Sequence, residues 1–376
     1  MKYVDEFRDG ELAKSISKKI QQVAKTDRQY HFMEFCGGHT HTIFRYGIPD
    51  LLPSNVTMIH GPGCPVCVLP MYRIDQAIEL AQQQNVIFCS YGDMLRVPGS
   101  QKSSLLQAKA QGADIRMLYS IADALTIARD NPAKKIVFFA IGFETTTPPT
   151  ALAILQAQKM NLMNFFVFCN HVLTPAAIVS ILDSPEVKTM GTLPLDGFIG
   201  PAHVSTVIGS RPYESFATDY KSPVVIAGFE PLDVLQAIYM LIKQVNDQRS
   251  EVENEFIRAV TVNGNEKAKA IMAEVFELRN SFEWRGLGQV PNSALKIKTG
   301  YQQWDAEVHF SLNPIASSKP SLENKACECP AILRGIKKPL DCKLFGTVCT
   351  PENPIGSCMV SSEGACAAYY NYGRHS

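Results

Sequence analysis

The sequence predicts an α/β protein: two related parallel-sheet α/β units facing a cleft, followed by a C-terminal cysteine-rich iron–sulfur segment. Three observations carry this expectation. Short apolar runs repeatedly lead into Gly/Pro-rich turns and then into helical patterns, as parallel strands covered on both faces do. Two of these units echo each other, as Ile141-Gly142-Phe143-Glu144 and Ala227-Gly228-Phe229-Glu230, with Pro148 and Pro231 suited to start the following helices. Finally, six of the eleven cysteines lie at or beyond position 327.

Taken in order, the chain opens on an amphipathic helix whose apolar stripe is Leu12, Ile16, Ile20 and Val23. Strands follow at Tyr30–Phe35, Val56–His60, Val86–Ser90, Ile136–Ile141, Phe165–Cys169, Gly197–Gly200 and Val224–Ala227. Helices are expected over Leu69–Gln83, through Ala151, Leu152, Ile154 and Leu155, and through Leu232, Leu235, Ile238 and Leu241. From about Val245 the pattern is helical and polar, with Glu266–Arg279 as its clearest stretch. We expect a first α/β unit over 1–125, a second over 126–245, and a helical region with the cluster segment over 246–376. Ligands in such folds sit beyond the carboxyl ends of the strands.

Composition narrows the function. Lysine plus arginine and aspartate plus glutamate each number 36, so the net charge is zero and the basic footprint of a nucleic-acid binder is missing. The charged start, Met1-Lys2-Tyr3-Val4-Asp5-Glu6-Phe7, is unlike a signal peptide. No stretch approaches the ~18 consecutive apolar residues of a membrane span. The expected compartment is therefore the cytoplasm, where clustered cysteines more often bind metal or react than form structural disulfides.

Three constellations carry chemistry. In Glu34-Phe35-Cys36-Gly37-Gly38-His39-Thr40-His41-Thr42, a cysteine ends a strand and precedes two glycines. A helix N-terminus there favours thiolate, and thiolate with imidazole suits iron or zinc. The bland alternative is a buried cysteine beside a core histidine. In His60-Gly61-Pro62-Gly63-Cys64-Pro65-Val66-Cys67, the spacing suits a reducible disulfide or half of a zinc site, and redox is the favoured reading. In the tail, Cys327, Cys329, Cys342, Cys349, Cys358 and Cys366 exceed by two the four thiolates of a 4Fe–4S cluster. The surplus pair is what favours iron–sulfur over zinc, because a dithiol beside a cluster passes electrons. Asp93, Glu144, Thr145, Thr146, Asn170, His171, His203 and Glu230 all follow strands, as caps or as the lining of a cleft. Cys89 and Cys169 lie inside apolar strands and read as core.

These stretches together resemble the hydrogenase maturation protein HypD family. The matching pieces are FCGGHT at 35–40, GPGCPVC at 61–67, GFETTTP at 142–148, NHVLTP at 170–175, GPAHVST at 200–206, AGFEPLDVLQA at 227–237 and CTPENPIGSCMVSSEGACAAYY at 349–370. Position 202 is alanine where glycine is expected, and Glu328 separates Cys327 from Cys329.

The resemblance implies a redox-active assembly scaffold for the Fe(CN)2CO centre of nickel–iron hydrogenases rather than a conventional turnover enzyme. It implies a HypC-type small chaperone that shares the iron, and a HypE-type donor presenting cyanide as a thiocyanate. Cys36 would bind the iron, with His39 as the second participant, and Cys64 and Cys67 would be the redox pair. Glu144, His203 and Glu230 join these as candidate catalytic residues. The tail is similar to ferredoxin:thioredoxin reductase, which suggests Cys327, Cys342, Cys349 and Cys366 as ligands of a 4Fe–4S cluster and Cys329 with Cys358 as the neighbouring redox pair. A ferredoxin-dependent thiol–disulfide reductase is the alternative, but it leaves Cys36 and His39 idle. A zinc-stabilised binding module without redox activity is the third reading.

Overall fold

A computed structural model describes residues 5–100, 103–184, 195–312 and 325–373. Met1–Val4 of the charged N-terminus lie outside the described residues. Two parallel sheets form the body. The first contains β1 (Tyr30–Glu34), β2 (Val56–His60), β7 (Gly197–Pro201), β8 (Val224–Ala227) and β9 (Val252–Asn254), in the order β2-β1-β7-β8-β9. The second contains β3 (Val86–Ser90), β4 (Ile115–Met117), β5 (Lys135–Gly142) and β6 (Phe165–His171), in the order β4-β3-β5-β6. All pairings within these two sheets are parallel.

Counted within its own sheet, each begins second-first-third-fourth, so the units share a topology. Sheet membership nevertheless cuts across the expected divisions at 125 and 245. The chain makes two strands of the first sheet, crosses to build all of the second, and returns for the other three. Each sheet has one point where strand order reverses, between β1 and β7 and between β3 and β5, and in open α/β sheets this is where ligands bind.

The strands form where apolar runs can be covered from both sides. In β5, positions 136–142 are all buried, which is why this strand reads as a continuous apolar run rather than an alternation. Phe139 stacks on Phe168 of β6 at 5.4 Å between ring centroids. The helices after the two Gly-Phe-Glu segments, Thr147–Lys159 and Pro231–Asn246, each carry proline in the first turn, where its missing N–H costs no hydrogen bond.

Three sequence expectations change. The first helix, α1 (Gly10–Val23), buries Ala13, Ser17 and Ile20, while Leu12 turns outward at 52 % exposure. The expected helix 69–83 is two helices, Pro65–Val68 and Met71–Ala81, because Pro70 lacks an N–H and keeps Leu69 extended. The region 246–376 is not simply helical. Its helix stops at Val275, where β10 (Phe276–Leu278) pairs with β13 (Leu295–Ile297), enclosing a hairpin of β11 (Ser281–Trp284) and β12 (Gly288–Pro291). Phe282 and Trp284 are buried on one face of β11 while Ser281 is exposed, the period-two pattern of a half-buried strand.

The tail packs onto this body. Cys329, Cys342, Cys349, Cys358 and Cys366 share one apolar core with Cys64, Cys67, Phe88, Val137, Phe139 and Trp284. Among the described residues no helix is long and apolar enough to cross a membrane.

The α1 register gives a stability test. Ile20 is fully buried, so Ile20→Ala should cost ~2–5 kcal/mol in urea unfolding, whereas Leu12→Ala should stay within about 0.5 kcal/mol of the parent. Equal losses would restore the stripe expected from the sequence.

Candidate functional site

Cys36 follows β1 and caps α2 (Gly37–Arg45) in an extended conformation. The end of the strand is fixed by Glu34, whose buried carboxylate accepts the Cys36 N–H at 3.0 Å, the Thr40 hydroxyl and the His60 Nδ1–H at 2.6 Å. One acid thus ties together the ends of β1 and β2 and the first turn of α2. The backbone here is packed too closely for side chains. A Cβ on Gly63 would stand 2.3 Å from the Cys36 nitrogen, one on Gly37 2.3 Å from the Glu363 Cβ, and one on Gly38 2.6 Å from the Phe229 ring.

Burial and then the Glu363 carboxylate push the Cys36 thiol up, against the Gly38 and His39 amides that favour its thiolate. Such a thiol loses its proton to solvent or a base most readily when a metal cation takes the proton's place on sulfur. Cys36 is half-buried.

His39 lies fully buried beside it. Its Nε2 is 3.1 Å from the Ala227 carbonyl and 3.0 Å from that of Gly228, and since both only accept, Nε2 carries the proton. Burial lowers its pKa and keeps the ring neutral. Nδ1 is left as a buried lone pair with no hydrogen-bond partner. The ring packs on Phe229 at 4.5 Å, and His203 packs on that same phenyl ring at 4.1 Å. His41 leans instead on Tyr372 of the tail, at 5.1 Å.

Cys64 and Cys67 face each other as a disulfide, with Cα atoms 5.2 Å apart. Cys64 caps the short helix Pro65–Val68 and its sulfur accepts the Cys67 N–H at 3.2 Å. The preceding Gly61-Pro62-Gly63 loop joins this pair to Cys36: Gly37 N–H donates to the Gly63 carbonyl at 2.9 Å, and Gly61 N–H to that of Glu34 at 2.7 Å. On the other side the Ser357 hydroxyl donates to the Cys67 carbonyl at 2.9 Å, and Cys67 Sγ lies 3.8 Å from the Ser357 carbonyl. Cys358 is therefore the next residue along from a direct contact with the disulfide.

The tail thiols form a network. Cys358 hydrogen-bonds with both Cys329 and Cys366, which pulls its own pKa down, and Cys366 is pushed up by the same two partners. Cys327 is held up by its hydrogen bond with Cys329 and by burial. Burial raises Cys349, whose sulfur accepts the Ile355 N–H at 3.3 Å and also feels Cys329 and Cys327. Cys342 and Cys349 flank one turn, in which Phe345 N–H donates to the Cys342 carbonyl. Cys329 and Cys358, grouped by the resemblance as a pair, are in contact, but Cys366 touches both.

A 4Fe–4S cluster needs four thiolates, and the tail carries six free cysteines. The Gly356 backbone lies directly against the sulfurs of Cys327 and Cys329, where a Cβ would stand 2.6 Å from both. Among the described residues no three His, Cys, Asp or Glu side chains are gathered as a ready-made metal cage.

The remaining strand-end residues separate into groups. Glu144 is buried, with its two oxygens accepting the Thr174 N–H and hydroxyl, each at 2.9 Å. Burial pushes its carboxyl up to about 7, against those hydrogen bonds. Burial pushes the Tyr213 phenol up, against its hydrogen bond with the Ser205 hydroxyl, and the Glu144 and Cys36 charges add to the rise. Asp93 accepts the Ser361 hydroxyl at 2.8 Å, fastening the tail beside Glu363. Glu230 is engaged elsewhere, in an ion pair with Arg8. Thr146 bonds back to the Ile141 and Phe143 carbonyls, Asn170 to buried Arg73, and His171 to Thr150, all structural roles. Cys89 and Cys169 are core, as expected.

Sequence reasoning gives no role to Glu34, Tyr213, Phe229 or Glu363. Only Glu34 carries a signal, as the one acid in β1. A cavity of about 620 Å³ runs along β2 past Phe44, Met58, Ile336 and Tyr372, and none of the thiols lines it.

Two parallel-sheet units with cysteines of three separate segments drawn to their boundary define a multi-thiol α/β protein. A family model, HypD, described as the hydrogenase formation hypA family, matches residues 11–373. The chain belongs to this HypD family of hydrogenase maturation factors. It is 66% identical over 374 residues to the hydrogenase maturation factor HypD of Azotobacter vinelandii, covering 100% of this chain and 97% of that protein. The HypD of Cupriavidus necator is 65% identical over 374 residues, covering 100% and 98%. That of Escherichia coli is 45% identical over 377 residues, covering 99% and 98%.

Glu144 makes a pH-dependent prediction. Its folded carboxyl titrates near 7 rather than at its ordinary 4.5, so the folded state holds this proton more tightly. The Glu144 contribution to stability is therefore greatest in acid, falls as pH rises from about 4.5 to about 7, and is level beyond. Glu144→Gln should remove that slope, gaining up to ~3 kcal/mol on the parent across this window in urea melts. A difference independent of pH would show that Glu144 is ionised throughout.

Proposed function

We propose that this protein is the scaffold on which the Fe(CN)2CO centre of nickel–iron hydrogenases is assembled. Cys36 holds the iron together with a cysteine of a HypC-type chaperone, and a HypE-type partner delivers cyanide as a thiocyanate. The work is done in the cytoplasm. The observation that carries this reading is the unbroken contact path from Cys36 through the Gly61–Gly63 loop to Cys64–Cys67, and through Ser357 to the tail thiols.

Cleaving a thiocyanate to cyanide takes two electrons. The S–C bond of R–S–C≡N breaks, the carbon leaves as cyanide and the sulfur as thiolate. The reduced Cys64–Cys67 pair supplies both electrons by closing its disulfide, releasing two protons. Buried Glu144, near half-protonated at neutral pH, is suited to exchange protons in the same cleft. His39 keeps Nδ1 open towards a metal while the Ala227 and Gly228 carbonyls fix its ring. Cys329 and Cys358 form the second dithiol, which re-reduces Cys64–Cys67. Cys327, Cys342, Cys349 and Cys366 would hold a 4Fe–4S cluster, which when bound supplies single-electron transfers.

Cys36→Ala, purified anaerobically with the chaperone, should keep its fold and brown colour but lose the CN and CO stretches in the infrared. Unchanged bands would remove Cys36 from the iron site. Serine variants sort the tail. Cys327, Cys342, Cys349 or Cys366 replaced by serine should bleach the visible absorbance, whereas Cys329→Ser and Cys358→Ser should retain it. Loss in Cys329→Ser with retention in Cys327→Ser would reverse the two roles.

A further inference from the structure

We propose that Arg258 is a positioning residue for His39, bracing with Asp233 and Glu255 the Gly228–Glu230 turn to which the imidazole is bonded. That His39 then serves iron rests on the function proposed above. The turn leaves β8 and is held through two of its peptide units. The Ala227 carbonyl accepts from His39 Nε2 at 3.1 Å, and the amide of the same peptide, Gly228 N–H, donates to the Glu255 carboxyl at 3.3 Å. The Phe229 carbonyl accepts the Thr42 hydroxyl at 2.5 Å, and the amide of that peptide, Glu230 N–H, donates to the Asp233 carboxylate at 3.3 Å. Both peptides are trans, so their C=O and N–H groups point in opposite directions. Side chains of α2 therefore hold one side of the turn and two acids hold the other.

Arg258 joins the two acids. Its guanidinium lies 2.5 Å from an Asp233 oxygen and 3.8 Å from one of Glu255, and it packs over the rings of Phe256 at 3.9 Å and Phe7 at 4.1 Å. Asp233 has no exposure, and a Cβ on Gly228 would stand 1.9 Å from its carboxylate. Burial and then the Asp233 charge push the Glu255 carboxyl up, as two acids crowded on one cation require. Without Arg258 the Asp233 charge is buried and unpaired, and the acids repel rather than close on the turn. The turn is then held from the α2 side alone. His39, whose Nε2 depends on the Ala227 and Gly228 carbonyls, loses its fixed direction, and its unpartnered Nδ1 loses its aim.

The test uses the full-length, anaerobically purified protein with histidine labelled at its ring nitrogens for NMR. The His39 Nε2–H resonance is identified by its loss in His39→Gln, and its exchange with water is timed. Arg258→Met should quicken that exchange about tenfold or more, while the ring N–H of His171, buried in the second sheet, stays within about twofold of the parent. Arg258→Lys, which keeps the charge but cannot fork between two acids, should fall between them. If Arg258→Met does not fold, Glu255→Ala makes the same comparison by taking the acceptor from Gly228 N–H while Arg258 stays on Asp233. Ferrous ion is then titrated anaerobically into the parent, Arg258→Met, His39→Gln and the double variant, and iron bound beyond that of the purified protein is counted. Arg258→Met should weaken this binding about fivefold or more by itself, and less than about twofold in the His39→Gln background, as coupled residues do.

His39 exchange within about twofold of the parent in Arg258→Met would overturn the inference, as would exchange quickened equally at His171, which would mark a general loosening of the fold. Equal weakening of iron binding with and without His39 would also overturn it. Iron binding unchanged in His39→Gln would overturn the reading of His39 as an iron participant, and this inference with it. That failure shows without any change at Arg258.

Discussion

The centre of this protein depends on how closely four stretches of backbone approach Cys36. The strand end at Glu34–Cys36, the Gly61–Gly63 loop, the Gly228–Phe229 turn and the tail at Glu363 meet there with no room for a Cβ on Gly37, Gly38 or Gly63. Interiors are packed so densely that a single methyl would have to move one of these segments. Each carries something different: a thiol, the approach to a thiol pair, an aromatic ring and a carboxylate. The glycines are what let chemically distinct pieces from distant parts of the chain share one small volume.

Glu34 turns this proximity into a fixed arrangement. A carboxylate with no exposure is costly unless its oxygens are satisfied. Here they accept from a backbone amide, a hydroxyl and an imidazole, on the end of β1, α2 and the end of β2. Removing any one donor would leave a buried charge short of a partner, so the three elements are locked by the acid between them. His39 is locked differently, through carbonyls at the end of β8. The thiol and the imidazole are thus held by opposite sides of the first sheet's switch point, with Cys36 after β1 and the carbonyls beyond β7, at β8.

Much of this was legible in the sequence. Apolar runs ending in Gly-rich turns marked seven of the nine strands of the two sheets to within one or two residues, since a strand buried on both faces needs no partner to be recognised, while the three-residue edge strands β4 and β9 left no such run. Cys36, Cys64, Cys67 and the six tail cysteines stood out because thiols at those spacings rarely serve as mere packing. What could not be read was pairing between distant segments. Nothing in residues 30–60 says that β1 will lie beside β7, and local periodicity is blind to that crossover. The same blindness hid Phe229 as the ring on which both His39 and His203 pack. The hairpin from 276 to 297 was missed for another reason, because its strands are three or four residues long and follow directly from a helix.

The repeated Gly-Phe-Glu segments show how position decides the use of identical residues. Strand order within each sheet makes β5 the third strand of its unit and β8 the fourth of its own, so the echo does not mark equivalent strands. Phe143 stacks on Trp284 at 6.2 Å and is core, whereas Phe229 packs between two histidines at the thiol site. Glu230 meets Arg8 near solvent. Glu144 is buried against Thr174, and burial alone lifts its carboxyl into the neutral range. The ring that serves the site therefore comes from the first sheet and the acid from the second. Cys36 follows a strand of the first sheet and Glu144 one of the second, and the tail fastens to both, through Ser357 to Cys67 after β2 and through Ser361 to Asp93 after β3.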